Sequence, residues 1–431
     1  MNKTIFRKLI LIWFCWVMLV IGFQALATAR FQPQYPDRAQ LWTEAFTGPG
    51  YQQGHPFLLD PFMNNQVAWD SEYYLGIATG GYEDPNVSHL QTTGSVFFDY
   101  HTLLAGGNYI GLPLSLSYAF FPLYGWTIWL VSWPLKLLGL DPIATSTLGG
   151  VIVSALGALG GMLALYDLTY DSLGEEGGLR TAFYMLIFPT GFFFLQVYTE
   201  GLFVGLAFGC LAMLKRRHWV PAALLAAAAA LTRAVGVALV IPMGITWILS
   251  NEWLEFDMEW RQMFFSGIPW RPIGKALLVS LPILAYIVWK VSYLGWAFDY
   301  VETNFFGRHT LDFAAAYYSW SDAYTALFAQ VPQRTAYFLT EFGGLAIGIV
   351  ACLACLKYYP EIAWFSIAVL VISFGSGPAQ GIERYILGAP AVFVMLGRWG
   401  RYPVFDRAWT IASTLLMGLL AMLFAFNFWV A

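Results

Sequence analysis

Long apolar runs parted by short polar breaks leave this chain few ways to fold. Residues 9–29 contain no charge, and at 1.5 Å per residue they make about 31 Å of helix, enough to cross a bilayer core. Comparable runs recur to the C-terminus. Across 431 residues 58% are hydrophobic and only 11% charged, with mean hydropathy +0.60, whereas a soluble domain carries about 25% charged residues. A water-soluble globule is excluded. In lipid every backbone polar group needs an internal partner, so the chain reads as an all-α polytopic membrane protein, a single integral membrane domain over residues 1–431. The net charge of −4 says little about partners, and no basic patch points to nucleic acid. Cys15, Cys210, Cys352 and Cys355 all lie in apolar runs. Even the i, i+3 pair Cys352 and Cys355 has no histidine near it and reads as packing.

Charge sets the topology. Lys3, Arg7 and Lys8 precede the first run and place the N-terminus in the cytoplasm. A signal peptide is the rival reading, since Ala25, Ala27 and Ala29 end the run, but the apolar stretch exceeds the usual length. Residues 30–113 then form a first extracytoplasmic loop with interfacial helices, where Asp37, Glu44, Asp60, Asp70, Glu72, Glu83, Asp84 and Asp99 face only Arg30 and Arg38. A loop so long carries function more often than connection. Residues 115–139 either span or lie along the outer interface. The interfacial placement suits Trp126, Trp129 and Trp133 and keeps Lys215, Arg216 and Arg217 cytoplasmic. Spans follow at 142–166, 181–197 and 201–214. Residues 219–248, interrupted at Thr232-Arg233, make two short spans, and 252–275 is a cytoplasmic loop. A span at 276–296 leads to a second extracytoplasmic loop at 297–336, and spans at 337–356, 361–377, 385–397 and 409–430 complete about 11 transmembrane helices. No internal repeat of the kind found in many transporters is visible.

This topology brings polar clusters to one side of the membrane: Trp69-Asp70 with Glu72, Tyr198 with Glu200, Arg233, Arg308-His309 and Arg384. Ionisable groups at membrane depth are costly and usually mark a functional path. Arginines grip phosphate oxygens in a forked geometry, and a carboxylate takes the proton of a hydroxyl. The set therefore suits a lipid-linked anion meeting a polar acceptor. Plainer readings stand beside it. Asp70 caps the helix beginning near Ser71, Glu200 pairs structurally with Arg233, Arg308 and His309 are solvated, and Arg384 marks a helix start. His55, His89 and His101 share the first loop with many acids but show no ligand-like spacing, so no metal site is assigned.

Six motifs occur in order: Trp69-Asp70-Ser71 with Tyr74-Leu75 and Ile77-Ala78 leading to Gly81-Tyr82; Phe120-Phe121-Pro122-Leu123-Tyr124; Tyr198-Thr199-Glu200-Gly201-Leu202-Phe203; Leu231-Thr232-Arg233; Phe306-Gly307-Arg308; and Glu383-Arg384-Tyr385. The ordered set resembles the glycosylphosphatidylinositol second-mannosyltransferase family and its bacterial relatives, membrane glycosyltransferases of the C-type architecture. Thr199 stands where that family prefers serine, Ala234 where proline is usual, and Ala68 where arginine is common. The resemblance implies an inverting transferase that moves a sugar, typically mannose, from a polyprenyl-phosphate carrier to a glycan or glycolipid acceptor at the extracytoplasmic face. Asp70 maps onto its catalytic base. Trp69, Glu72, Tyr198, Glu200, Arg233, Arg308, His309 and Arg384 are the expected substrate-binding residues. Because the phosphate leaves as an anion among cations, no divalent metal or other cofactor is expected. A transporter or flippase of a lipid-linked sugar is the alternative, and a non-catalytic membrane subunit a third reading.

Overall fold

A computed structural model describes residues 3–48, 50–91, 113–249, 270–309 and 311–431. His101, Asp99 and most of the expected cytoplasmic loop at 252–275 lie outside the described residues. The chain is a multi-helix membrane protein, all-α among the described residues apart from a two-stranded antiparallel ribbon, β1 (His89–Gln91) with β2 (Pro113–Ser115), in which His89 faces Ser115 and Gln91 faces Pro113.

Among the described residues the α-helices longer than one turn are, in order, α1 (Lys3–Arg30), α2 (Ser71–Thr79), α3 (Pro122–Leu135), α4 (Pro142–Leu186), α5 (Thr199–Lys215), α6 (Trp219–Ala230), α7 (Val240–Leu249), α8 (Trp270–Lys290), α9 (Tyr293–Val301), α10 (Phe313–Ala326), α11 (Pro332–Leu356), α12 (Pro360–Phe374), α13 (Pro390–Trp399) and α14 (Pro403–Ala425). Among the described residues five helices are long and apolar enough to cross a membrane: Lys3–Arg30, Pro142–Leu186, Ile273–Lys290, Pro332–Leu356 and Pro403–Ala425. Trp219–Ala230, Ala234–Leu249 and Pro360–Phe374 are shorter apolar helices. The expectation of about 11 spans thus meets five helices that are long enough by themselves among the described residues.

The differences have local causes. The separate stretches expected at 142–166 and 181–197 are present as two helical arms of one element, Pro142–Leu186, which folds back at Gly174 (φ 70°, ψ −172°) so that Met185 packs against Gly161 and Tyr166 against Gly178. Asp141 starts this element by accepting the N–H groups of Ile143 and Ala144 at 2.9 and 3.0 Å, the N-cap role that short acidic side chains favour. The expected helix at 115–139 is shorter, Pro122–Leu135, because Pro122 opens it and a 3-10 turn ending at Gly139 closes it. Its Trp126, Trp129 and Trp133 are exposed. The break at Thr232-Arg233 is present, with Arg233 in extended backbone.

The core is the α4–α5 pair, with α1 and α13 packed on α4 and α6 on α5. A Cβ at Gly201 would collide with the Ser154 carbonyl, and one at Gly205 would lie 2.6 Å from that of Gly157. Small residues let the two backbones touch, and this close crossing fixes the start of α5, which carries Glu200.

Candidate active site

The turn before α2 is the pivot of the site. Ser71 Oγ accepts the Ala68 N–H at 3.1 Å. Trp69 adopts φ of 52°, a left-handed conformation that is strained for a bulky residue and persists where surroundings impose it. Tyr198 imposes it from above: its fully buried hydroxyl donates to the Ala68 carbonyl at 3.1 Å and accepts the Asp70 N–H at 3.2 Å. The Tyr198 oxygen therefore holds this turn. Asp70 occupies the N-cap position of α2, yet its side chain makes no capping bond. Instead its Oδ2 accepts from Arg384 at 2.9 Å, while Oδ1 accepts no hydrogen bond among the described residues and 18% of the side chain is exposed.

Glu200, in the first turn of α5, receives Arg233 on Oε1, and the Nε of Arg384 lies 3.5 Å from the same oxygen. That distance is ion-pair reach without a hydrogen bond. Oε2 is buried with no partner among the described residues. Arg233, thrown out of helix by the break after α6, also reaches Thr199 Oγ1 at 3.2 Å. Arg308 follows a π-turn, Glu302–Phe306, that ends at Gly307 with φ of 63°. Its guanidinium donates to Ser376 Oγ at 3.0 Å, and among the described residues it enters no ion pair. Around the ring of Tyr385 the guanidinium carbons of Arg233, Arg384 and Arg308 lie at 5.0, 5.2 and 5.4 Å, within the range where a ring face attracts a cation. Three like charges are thus gathered on one aromatic spacer, with Asp70 and Glu200 offsetting two of them.

Glu72 is buried, and its Oε2 lies 2.7 Å from Nδ1 of His55. The hydrogen bond and charge of Glu72 raise the His55 pKa against the opposing effect of burial. Glu72 therefore holds the neighbouring loop turn. His309 is exposed, with its backbone N–H on the Ser376 carbonyl at 3.0 Å.

Trp69, Asp70, Glu72, Tyr198, Glu200, Arg233, Arg308, His309 and Arg384 all line one cavity of about 770 Å³. The same walls carry Trp42, Tyr385, Trp429 and Glu302, which the sequence reading did not single out as site residues. Glu302 had a signal, an acid close before the Phe306-Gly307-Arg308 motif. Trp42 and Trp429 had none, since each belongs to an apolar or mixed segment without spacing. Among the described residues no group of three or more His, Cys, Asp or Glu side chains is gathered as for a metal. His55 sits on Glu72, and His89 lies 3.8 Å from Glu83.

Fold and cavity together define a multi-helix membrane protein with an arginine-ringed, carboxylate-bearing hollow. No sequence-family profile and no curated protein matches the chain. Among solved structures it is similar to ArnT from Cupriavidus metallidurans bound to undecaprenyl phosphate, with 12% identity and a TM-score of 0.43 over 83% of this chain and 67% of that one. It is also similar to the Archaeoglobus fulgidus oligosaccharyltransferase AglB in complex with an inhibitory peptide and a dolichol-phosphate, with 12% identity and a TM-score of 0.38 over 96% of this chain and 55% of that one. A complex of the oligosaccharyltransferase of that organism with zinc and sulfate matches at 16% identity and a TM-score of 0.35, over 74% and 45%. The chain spans about half the length of these oligosaccharyltransferases. At TM-scores below 0.5, neither fold nor activity is carried over from such likeness.

Proposed function

We propose that this chain is an inverting glycosyltransferase that moves a sugar, mannose in the first instance, from a polyprenyl-phosphate carrier to a glycan or glycolipid acceptor at the extracytoplasmic face. One observation carries the reading: a carboxylate with one oxygen held and the other free stands in the same cavity as an arginine that is in no ion pair among the described residues. Asp70 Oδ1 takes the proton of an acceptor hydroxyl while that oxygen attacks the anomeric carbon. The bond from that carbon to the phosphate oxygen breaks, its electrons stay on the phosphate, and Arg308 with the guanidinium groups around Tyr385 neutralises the charge that develops. Attack from the face opposite the leaving group inverts the anomeric centre. Arg384 keeps Asp70 aimed, and Tyr198 keeps the turn beneath it from moving. Mannose and the second-mannosyltransferase kinship rest on the six ordered motifs.

Asp70→Asn keeps the size and removes the base. We expect the variant to insert and fold as wild type and to lose roughly 10²-fold or more of transfer from labelled polyprenyl-phosphate sugars. Transfer near the wild-type rate would overturn the assignment. Movement of the lipid-linked sugar across proteoliposomes, without transfer and unaffected by Asp70→Asn, would favour a transporter.

A further inference from the structure

Three tryptophans from distant stretches of the chain meet at the cavity wall beside Asp70. Trp42, Trp69 and Trp429 contact one another edge to face, with ring centroids 4.8 to 5.7 Å apart. All three are half-buried and line the cavity, and Phe46 and Tyr51 extend the aromatic wall.

The cluster is held rigidly. The Trp69 indole N–H donates to the Phe428 carbonyl at 3.2 Å, and that of Trp429 to the Tyr337 hydroxyl at 3.1 Å. The main-chain N–H of Trp429 donates to Asp37 Oδ2 at 2.7 Å. Asp37 Oδ1 accepts from Ala39 at 2.9 Å, and its carbonyl from Thr43 Oγ1 at 3.0 Å, which pins the segment bearing Trp42. With the N–H donors of Trp69 and Trp429 satisfied inside the protein, their rings offer faces and edges to the cavity. Polar groups adjoin these faces. Asn427, two residues before Trp429, lines the cavity and has a side-chain carbonyl with no partner among the described residues. Gln380 lines it too.

A second aromatic group lines the cavity elsewhere: Phe121 stacks 6.5 Å from Tyr286 of the spanning helix α8 and lies 5.2 Å from Phe298. No ring of this group contacts one of the tryptophan group among the described residues. An isoprenoid tail, flexible and without hydrogen-bonding groups, suits the wall that a spanning helix supplies. The tryptophan wall, built on polar loop and C-terminal segment with amides at its margin, suits a ring with one apolar C–H face and hydroxyls around its edge. A pyranose is such a ring, and aromatic faces pack on its C–H surface.

We infer that Trp42, Trp69 and Trp429 form the subsite that holds a hexopyranose unit of the acceptor next to Asp70. The inference rests on the transferase reading for the identity of its occupant: Asp70 takes the acceptor's proton, so the ring packed beside it is assigned to the acceptor.

The test uses the full-length protein in nanodiscs with two probes measured separately. Methyl α-hexopyranosides of mannose, glucose and galactose are read by saturation-transfer NMR, and undecaprenyl phosphate by native mass spectrometry. We expect saturation of the ring C–H protons of at least one hexoside. Trp42→Ala and Trp429→Ala should each weaken that hexoside about fivefold or more, and Trp429→Phe, which keeps a ring face, should restore most of it. Undecaprenyl phosphate binding should stay within about twofold of wild type in all three, which also shows that the variants fold. Three results overturn the subsite: no hexoside signal, a signal that survives both alanine variants, or alanine variants that weaken undecaprenyl phosphate more than the sugar. The last would give the wall to the isoprenoid. Failure of the wild type to bind undecaprenyl phosphate while hexosides bind and respond to the tryptophan variants would instead remove the transferase reading and leave the sugar site standing.

Discussion

Burial pushes the Glu302 carboxyl up to about 7, with Arg308 pulling it down and the charges of Asp70 and Asp299 pushing it further up; Lys290 pulls weakly the other way. It is partly buried, with protein atoms on most sides. Among the described residues its carboxylate makes no hydrogen bond or ion pair. It is therefore neutral below about pH 7 and anionic above. Since the folded chain holds this proton more tightly than the unfolded one, its contribution to stability falls as pH rises from the ordinary carboxylate range through about 7. The same ionisation adds a negative charge beside Arg308, where a phosphate is proposed to sit. We expect undecaprenyl phosphate affinity to fall by roughly threefold to tenfold as pH is raised through that range, and Glu302→Gln, neutral throughout, to hold its affinity further into alkali. The lipid phosphate titrates nearby as well, so the difference between the two profiles isolates Glu302. Parallel profiles would dismiss this role. The sequence marked the carboxylates and arginines as chemistry, because each stands out in an apolar chain. Of their pairings only that of Glu200 with Arg233 was legible there. That Glu72 turns to His55 and Tyr198 grips the Ala68–Asp70 turn depends on segments brought together only by folding.

Among elements, the short turn carrying Glu383-Arg384-Tyr385 shows how a helix supports chemistry it does not bear. Glu341 of α11 is fully buried, with Oε2 accepting the Ile382 N–H at 2.8 Å and Oε1 receiving the Gly381 N–H and the Tyr337 hydroxyl. Anions sit favourably where free N–H groups open a helical turn. The adjacent Glu383 is buried as well, and burial followed by the charge of Glu341 pushes its carboxyl well above the ordinary range. Glu341 meets three donors, whereas the Glu383 side chain has only the Thr340 hydroxyl at 3.4 Å among the described residues. Glu341→Gln sets an amide N–H₂ against N–H donors, at a cost of about 1–3 kcal/mol. It should lower the Tm and slow transfer by loosening Arg384. Glu383→Gln keeps the shape and disturbs only the long contact with Thr340, so it should change little. Equal losses in the two variants, by thermal unfolding and transfer rate, would refute this division of roles. At this scale the sequence disclosed where helices exist but not where they end. Runs apolar all round offer no periodic face to stop at, so Gly174 and Pro122 decided boundaries that composition left open. The break at Thr232-Arg233 was legible because an arginine cannot continue an apolar run without a partner, and Glu200 is that partner.

On the scale of the whole molecule, α1 measures the distance between two unlike ends. Near its start Lys8 pairs with Glu175 at 2.8 Å, and the same end gathers Lys215 with Asp171 at 2.7 Å and Arg216 with Asp167. Sixteen residues on, which is about 24 Å of helix, Gln24 donates to the Asn65 carbonyl at 3.1 Å, and Gln66 donates to the Gln24 side-chain oxygen at 3.0 Å. Residues 65 and 66 lead directly into the turn at Asp70. The charged cluster and the cavity thus lie at opposite ends of one spanning helix, separated by most of a hydrocarbon core. From the positive-inside tendency we propose that the basic end is cytoplasmic and the cavity extracytoplasmic. The test replaces Cys15, Cys210, Cys352 and Cys355 by alanine and introduces single cysteines at exposed positions. A membrane-impermeant maleimide added to intact cells should label Gln53→Cys and Asn304→Cys directly, and Glu176→Cys and Arg401→Cys only after permeabilisation. Positions 53 and 304 come from loops hundreds of residues apart, one beside the tryptophan wall and the other in the turn before Arg308. Their labelling from opposite sides would separate Asp70 from its arginines and leave no common hollow for phosphate and acceptor to meet in.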